Sequence, residues 1–71
     1  MSTLDGYDSA IDKLKALEKG TIEWNQQLLE TNQLVLDILS KYPEMVGNTE
    51  YIKRDETTGL LTLTDRGKEY A

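Results

Sequence analysis

The chain has 71 residues and a formal net charge of −5, with 13 acids against 8 bases, no cysteine and no histidine. A chain this short forms one domain at most, spanning 1–71. The single hydrophobic core of so small a domain contributes only about 3–5 kcal/mol of stability. The missing cysteine and histidine exclude disulfides, thiolate sites and the commonest zinc ligands. Further stability is therefore expected from self-association or from a partner protein.

The acidic balance argues against nucleic-acid binding, because most of that affinity comes from basic side chains that neutralise phosphates and release the bound counterions into solution. The N-terminal sequence MSTLDGYDS has neither the basic start nor the apolar stretch of a signal peptide. No apolar run approaches the length of a membrane span. The predicted location is the cytoplasm, with no membrane association.

Catalysis is not predicted, since the chain has no histidine base, no cysteine nucleophile and no nucleophile elbow. A chain this small also leaves little room for a substrate cleft. Asp5, Asp8 and Asp12 share one helical face, but acids in a first turn are explained by the positive end of the helix dipole. We therefore expect no enzyme activity, no small-molecule substrate, no cofactor and no metal.

Residues 7–42 carry the clearest pattern, because apolar side chains recur there at alternating steps of three and four. This spacing is typical of an α-helical hairpin or a coiled coil. Lys19, Gly20 and Thr21 provide a C-terminal cation, a glycine stop and a new N-cap. They predict two helices, Gly6–Lys19 and Thr21–Lys41, and the alternative is one helix of about 36 residues.

The second helix has an apolar arc of roughly 220° when its residues are placed at about 100° per position. Its apolar members are Leu34, Ile38, Trp24, Tyr42, Val35, Leu28, Leu39, Leu36 and Leu29. The first helix covers only one side of so wide an arc. The other side requires the C-terminal segment or a second chain.

Glu23, Glu30 and Asp37 repeat every seven residues opposite this arc and form what we call the acidic ridge. The ridge is explained either as a solvated helix face or as a surface for a basic partner. Large aromatics are enriched where partners bind, although heptad positions also suit a core. The candidate partner-binding residues are Trp24, Leu28, Glu30, Val35, Asp37 and Tyr42.

Pro43 ends the helical pattern, and residues 49–64 predict a β-hairpin. Its strand-forming stretches, Tyr51–Arg54 and Leu60–Thr64, flank the turn sequence DETTG. Thr64 or Asp65 is expected to cap a helical turn over 65–71, which Gly67 should limit. The predicted class is thus mainly α with a small β-hairpin, an α+β fold.

The segment YIKRDETTGLLTLTDRGKEYA, residues 51–71, is similar to the wing hairpin and following turn of winged-helix regulators. That resemblance implies nucleic-acid binding. However, only PEMVGNTE separates Tyr42 from Tyr51, which leaves no room for a recognition helix in the major groove.

Together these features predict a small acidic protein-interaction module that self-associates or docks on a larger protein. Phage and mobile-element accessory proteins often have this size. The alternatives are a winged-helix-like nucleic-acid-binding regulator and a coiled-coil structural component of a larger assembly.

Overall fold

The structure is a computed structural model that describes residues 3–71. It contains two helices, a two-stranded antiparallel hairpin and a short C-terminal helix, which confirms the predicted α+β class. The elements in chain order are α1 (Thr3–Ala16), α2 (Ile22–Lys41), one 3-10 turn (Pro43–Met45), β1 (Ile52–Arg54), β2 (Leu61–Leu63) and α3 (Asp65–Tyr70).

The helical region is a hairpin, and the single-helix alternative is wrong. Gly20 has a φ of 90°, a left-handed conformation that side chains with a Cβ avoid. Directly after it, Thr21 caps α2 because its hydroxyl accepts the Trp24 N–H at 3.2 Å. The same hydroxyl donates to the Glu18 carbonyl at 2.8 Å, so Thr21 joins the end of the connection to the start of α2.

The first helix lies about one turn earlier than predicted, at Thr3–Ala16 instead of Gly6–Lys19. After Ala16 the chain tightens, and the Leu17 N–H donates to the Leu14 carbonyl at 3.3 Å, three residues back. A second turn follows, in which the Thr21 N–H donates to the Glu18 carbonyl. Two successive turns therefore connect the helices, where the sequence predicted a helix running up to the glycine.

The core lies where α1, α2 and the C-terminal segment meet. Its main cluster consists of Tyr7, Val35, Ile38, Leu39, Met45, Ile52 and Leu63. Met45, Val35 and Ile38 are at most 1% exposed, and burying side chains of this size contributes about 1.5–3 kcal/mol each. The C-terminal segment thus covers part of the second apolar side of α2, one of the two predicted alternatives, while Leu29 and Leu36 of the arc stay exposed.

The β-hairpin lies within the predicted range 49–64, although each strand has only three residues. Ile52 pairs with Leu63, and Arg54 pairs with Leu61. In the turn, the Asp55 carboxylate accepts both the Thr58 N–H at 3.2 Å and the Thr58 hydroxyl at 2.7 Å. Between α2 and β1 the described chain forms only turns, so no further α-helix lies between α2 and the hairpin.

The β-hairpin is joined to α1 on one side and to α3 on the other. On the outer edge of β2, the Leu63 N–H donates to the Tyr7 hydroxyl of α1 at 3.0 Å. After the strand, the Thr64 hydroxyl accepts the Gly67 N–H and caps α3, as predicted. Gly67 does not limit this helix. It is buried within it, and a Cβ there would overlap the backbone carbonyl of Tyr51.

Candidate functional site

One face of α2 leaves a line of large apolar side chains in water. Ile22, Leu29 and Leu36 are 74%, 70% and 49% exposed. Their spacing of seven residues, close to two helical turns, places them along one side of the helix. We call these three residues the α2 stripe. Large apolar side chains exposed along one face of a helix make that face a candidate interaction site.

The surroundings of the α2 stripe are polar and partly acidic. The exposed amides of Gln26 and Gln33 lie beside it on the helical wheel, and the acidic ridge follows about 60–100° around from Ile22. The Gln33 amide donates to the Asp37 carboxylate at 3.0 Å. α2 contains a single base, Lys41, which lies in its last turn. The stripe is therefore bordered along its length by negative charge.

The predicted partner-binding residues divide between surface and interior. Glu30 and Asp37 are exposed on the acidic ridge, next to the α2 stripe. Val35 is 1% exposed and belongs to the core, so it is not available to a partner. Leu28 is half-buried on the inward side of α2.

The sequence prediction missed Ile22, Leu29 and Leu36 as a unit. The signal was present in their seven-residue repeat, which has the same period as the acidic ridge. Leu29 and Leu36 were assigned to the wide apolar arc, and the arc alone does not separate its buried members from its exposed ones.

Tyr42 is half-buried and holds the C-terminal helix. The Tyr42 ring packs edge-on against the Tyr70 ring, with the ring centroids 5.7 Å apart. The centroids of the Tyr70 and Tyr51 rings are 4.9 Å apart. The Tyr70 hydroxyl donates to the Glu44 carboxylate, which lowers the pKa of Glu44 and raises the pKa of Tyr70. Tyr42 thus has a structural role within the chain.

A concave feature lies on another side of the molecule. A groove of about 520 Å³ separates α1 and the α1–α2 connection from the β-hairpin. Half-buried Trp24 lines this groove and does not lie on the α2 stripe. The remaining lining residues are Tyr7, Ile11, Leu14, Lys15, Leu17, Lys19, Asp55, Thr57, Thr58, Leu60, Thr62, Leu63 and Lys68. A chain this small was expected to leave little room for a cleft, and the groove corrects that expectation.

Two titratable groups of the groove have shifted pKa values. Burial raises the pKa of Tyr7, although the hydrogen bond from the Leu63 N–H opposes that shift. The pKa of Asp55 is lowered, chiefly because the Thr58 hydroxyl donates to its carboxylate. Asp55 therefore stays ionised near neutral pH and remains committed to the turn.

The described residues of these two surfaces hold no metal-binding cluster. Within residues 3–71, no cluster of three or more carboxylate, cysteine or histidine ligands is placed to hold a metal ion. The sequence placed Asp5, Asp8 and Asp12 on one face of the first helix. The Asp8 carboxylate forms an ion pair with the Lys68 ammonium at 3.3 Å, and the Asp5 side chain lies outside the described part of the chain. None of the described helices is long and apolar enough to cross a membrane.

Comparisons with protein-family models, with curated proteins and with solved structures find no match for this chain. The interpretation of both surfaces therefore depends on their own chemistry.

Proposed function

We propose that this protein is a non-enzymatic interaction module that docks a helical segment of another protein along the α2 stripe. The observation that carries the proposal is the exposure of Ile22, Leu29 and Leu36 in one line on a helix whose opposite face is already buried. Each apolar side chain of this size gives about 1.5–3 kcal/mol when it is fully removed from water. A helix laid along the stripe would bury all three.

The charge beside the stripe favours a basic partner over a second copy of this chain. In an antiparallel pair of α2 helices, the acidic ridges of the two copies would lie side by side and repel each other. In a parallel pair, each ridge would face the other copy's Asn25 and Asn32, which carry no positive charge. An amphipathic helix with an apolar stripe and flanking lysines or arginines satisfies both the apolar and the charged part of the surface.

Two synthetic peptides of identical apolar pattern test this preference, one with lysines and one with glutamates at the flanking positions. We expect the lysine peptide to bind more tightly by fluorescence anisotropy, and added salt to reduce the difference. Leu29→Gln should weaken binding by about tenfold or more, since an interface leucine is lost. Because Leu29 is 70% exposed, this substitution leaves the core intact.

Val46→Gln is the matched control, because Val46 is 60% exposed but lies outside α2. It should leave peptide binding unchanged. Equal binding of the two peptides, or an equal loss in both variants, would contradict the proposal.

Sedimentation equilibrium of the free protein at micromolar concentration addresses the alternative occupant of the stripe. We expect a single species of 8.1 kDa. A dimer that Leu29→Gln disperses would assign the α2 stripe to a second copy and overturn the basic partner.

A further inference from the structure

The groove between α1 and the β-hairpin combines an apolar floor with a basic rim. Leu14 and Leu60 are buried at its base, and Trp24 is half-buried along it. A volume of about 520 Å³ is within the usual range of small-molecule sites, about 300–1,000 Å³. Its walls come from separate parts of the chain, which packing against the core holds in place.

The charge of the groove is opposite to that of the whole protein. Three of the eight bases, Lys15, Lys19 and Lys68, line it against one acid, Asp55, in a chain of net charge −5. Lys68 is already paired with Asp8. In the described structure, Lys15 and Lys19 form no ion pair, and both are exposed. Two cations at the mouth of an apolar groove are thus available to a ligand.

The single acid of the groove does not cancel this charge. The Asp55 carboxylate accepts two hydrogen bonds from Thr58, which direct it into its own turn. Lys15 makes a further, small contribution to the lowered pKa of Asp55, which places the two charges within electrostatic reach of each other. Lys19 is not among the charges that lower the pKa of Asp55.

We propose that this groove binds a small organic anion with an apolar body, such as a medium-chain carboxylate. The anionic group lies between Lys15 and Lys19, and the apolar body lies against Trp24 and the leucines of the floor. A purely inorganic anion would leave the apolar floor in water, and an uncharged hydrocarbon would leave the two lysines without a partner. This site is separate from the α2 stripe and does not depend on the function proposed for it.

Trp24 provides the readout, because it is the only tryptophan in the chain. Octanoate, octylammonium and acetate are titrated while Trp24 emission is recorded. We expect octanoate to shift the Trp24 emission in a saturable way. Octylammonium should bind more weakly than octanoate, and acetate should not bind. Binding of octanoate should weaken as salt is added.

Substitution of the two free lysines tests the anion contact. The double variant Lys15→Gln, Lys19→Gln should bind octanoate more weakly, by up to about fivefold for each lysine, the range of exposed ion pairs. Lys53→Gln is the matched control, since Lys53 is exposed on β1 and does not line the groove. Leu29→Gln should also leave octanoate binding unchanged, which separates this proposal from that for the α2 stripe.

Two results would overturn the inference. One is equal affinity for octanoate and octylammonium, which would reduce the groove to a non-selective apolar surface. The other is unchanged octanoate affinity in the double variant relative to Lys53→Gln. Thermal unfolding followed by circular dichroism verifies that each variant is folded, as expected for substitutions at exposed lysines.

Discussion

At the scale of single residues, glycines in this chain have opposite roles that depend on local backbone conformation. Gly20 is exposed, has a φ of 90° and has no atom within 4 Å of the place where a Cβ would lie. Glycine is therefore required at position 20 for its backbone conformation, and not because a side chain would lack space. Gly6 has equally open surroundings but lies inside α1, where a glycine only adds backbone entropy to the unfolded chain.

Alanine at these two positions should change stability in opposite directions. Gly20→Ala should destabilise the protein by about 1–2 kcal/mol, because a Cβ disfavours the left-handed conformation. Gly6→Ala should stabilise it by about 0.5–1 kcal/mol, because alanine is the better helix former. Urea unfolding of both variants measures the difference. Stabilisation by Gly20→Ala would contradict the turn between α1 and α2.

Local chemistry explains why this turn could be predicted from sequence. The hydroxyl of Thr21 and the conformational freedom of Gly20 act on the backbone within a few residues. The end of α1 was predicted three residues late, because the first of the two turns, which the Leu17 N–H closes onto the Leu14 carbonyl, contains no glycine or proline of its own.

At the scale of elements, α3 depends on its docking against the hairpin more than on its helix propensity. It has only six residues, yet Gly67 is buried against the Tyr51 carbonyl. That close approach is compatible with the hydrogen bond from the Thr64 N–H to the same carbonyl, at 2.9 Å. Sequence reasoning treated Gly67 as a weakness, because helix propensity contains no information about a neighbouring strand.

Gly67→Ala tests this docking. Although alanine favours helices, the new Cβ would overlap backbone atoms of Tyr51, so we expect a loss of about 1–3 kcal/mol, as for other overpacked sites. Thermal unfolding gives the stability, and the amide NMR shift of Thr64 reports displacement of its hydrogen bond. A rise in melting temperature comparable to that of Gly6→Ala would show that α3 is not held against the Tyr51 carbonyl.

At the scale of the whole molecule, the sequence predicted which elements pack together. It did not predict the exposed stripe and the groove that this packing leaves. The wide apolar arc of α2 predicted cover on two sides, and α1 and the C-terminal segment cover its buried members but not Leu29 and Leu36. The α2 stripe is what remains uncovered, and identifying it required the position of every neighbour. The groove was beyond sequence reasoning, since Lys15, Trp24, Thr58 and Lys68 share it only after folding.

The hydrogen bond from the Leu63 N–H to the Tyr7 hydroxyl joins residues 56 positions apart, and this separation has a consequence for the order of folding. The α1–α2 connection closes a short loop, whereas the Tyr7–Leu63 contact closes almost the whole chain at a larger entropic cost. We therefore expect the helical hairpin to form before the rate-limiting barrier and the hairpin edge to attach to α1 after it.

Tyr7→Phe removes the acceptor and leaves the Leu63 N–H without a partner, at a cost of about 1–3 kcal/mol. Stopped-flow kinetics should show this cost mainly as faster unfolding, with the folding rate little changed. Slower folding at a constant unfolding rate would instead mean that the two distant parts of the chain meet early, and that the protein closes its longest loop first.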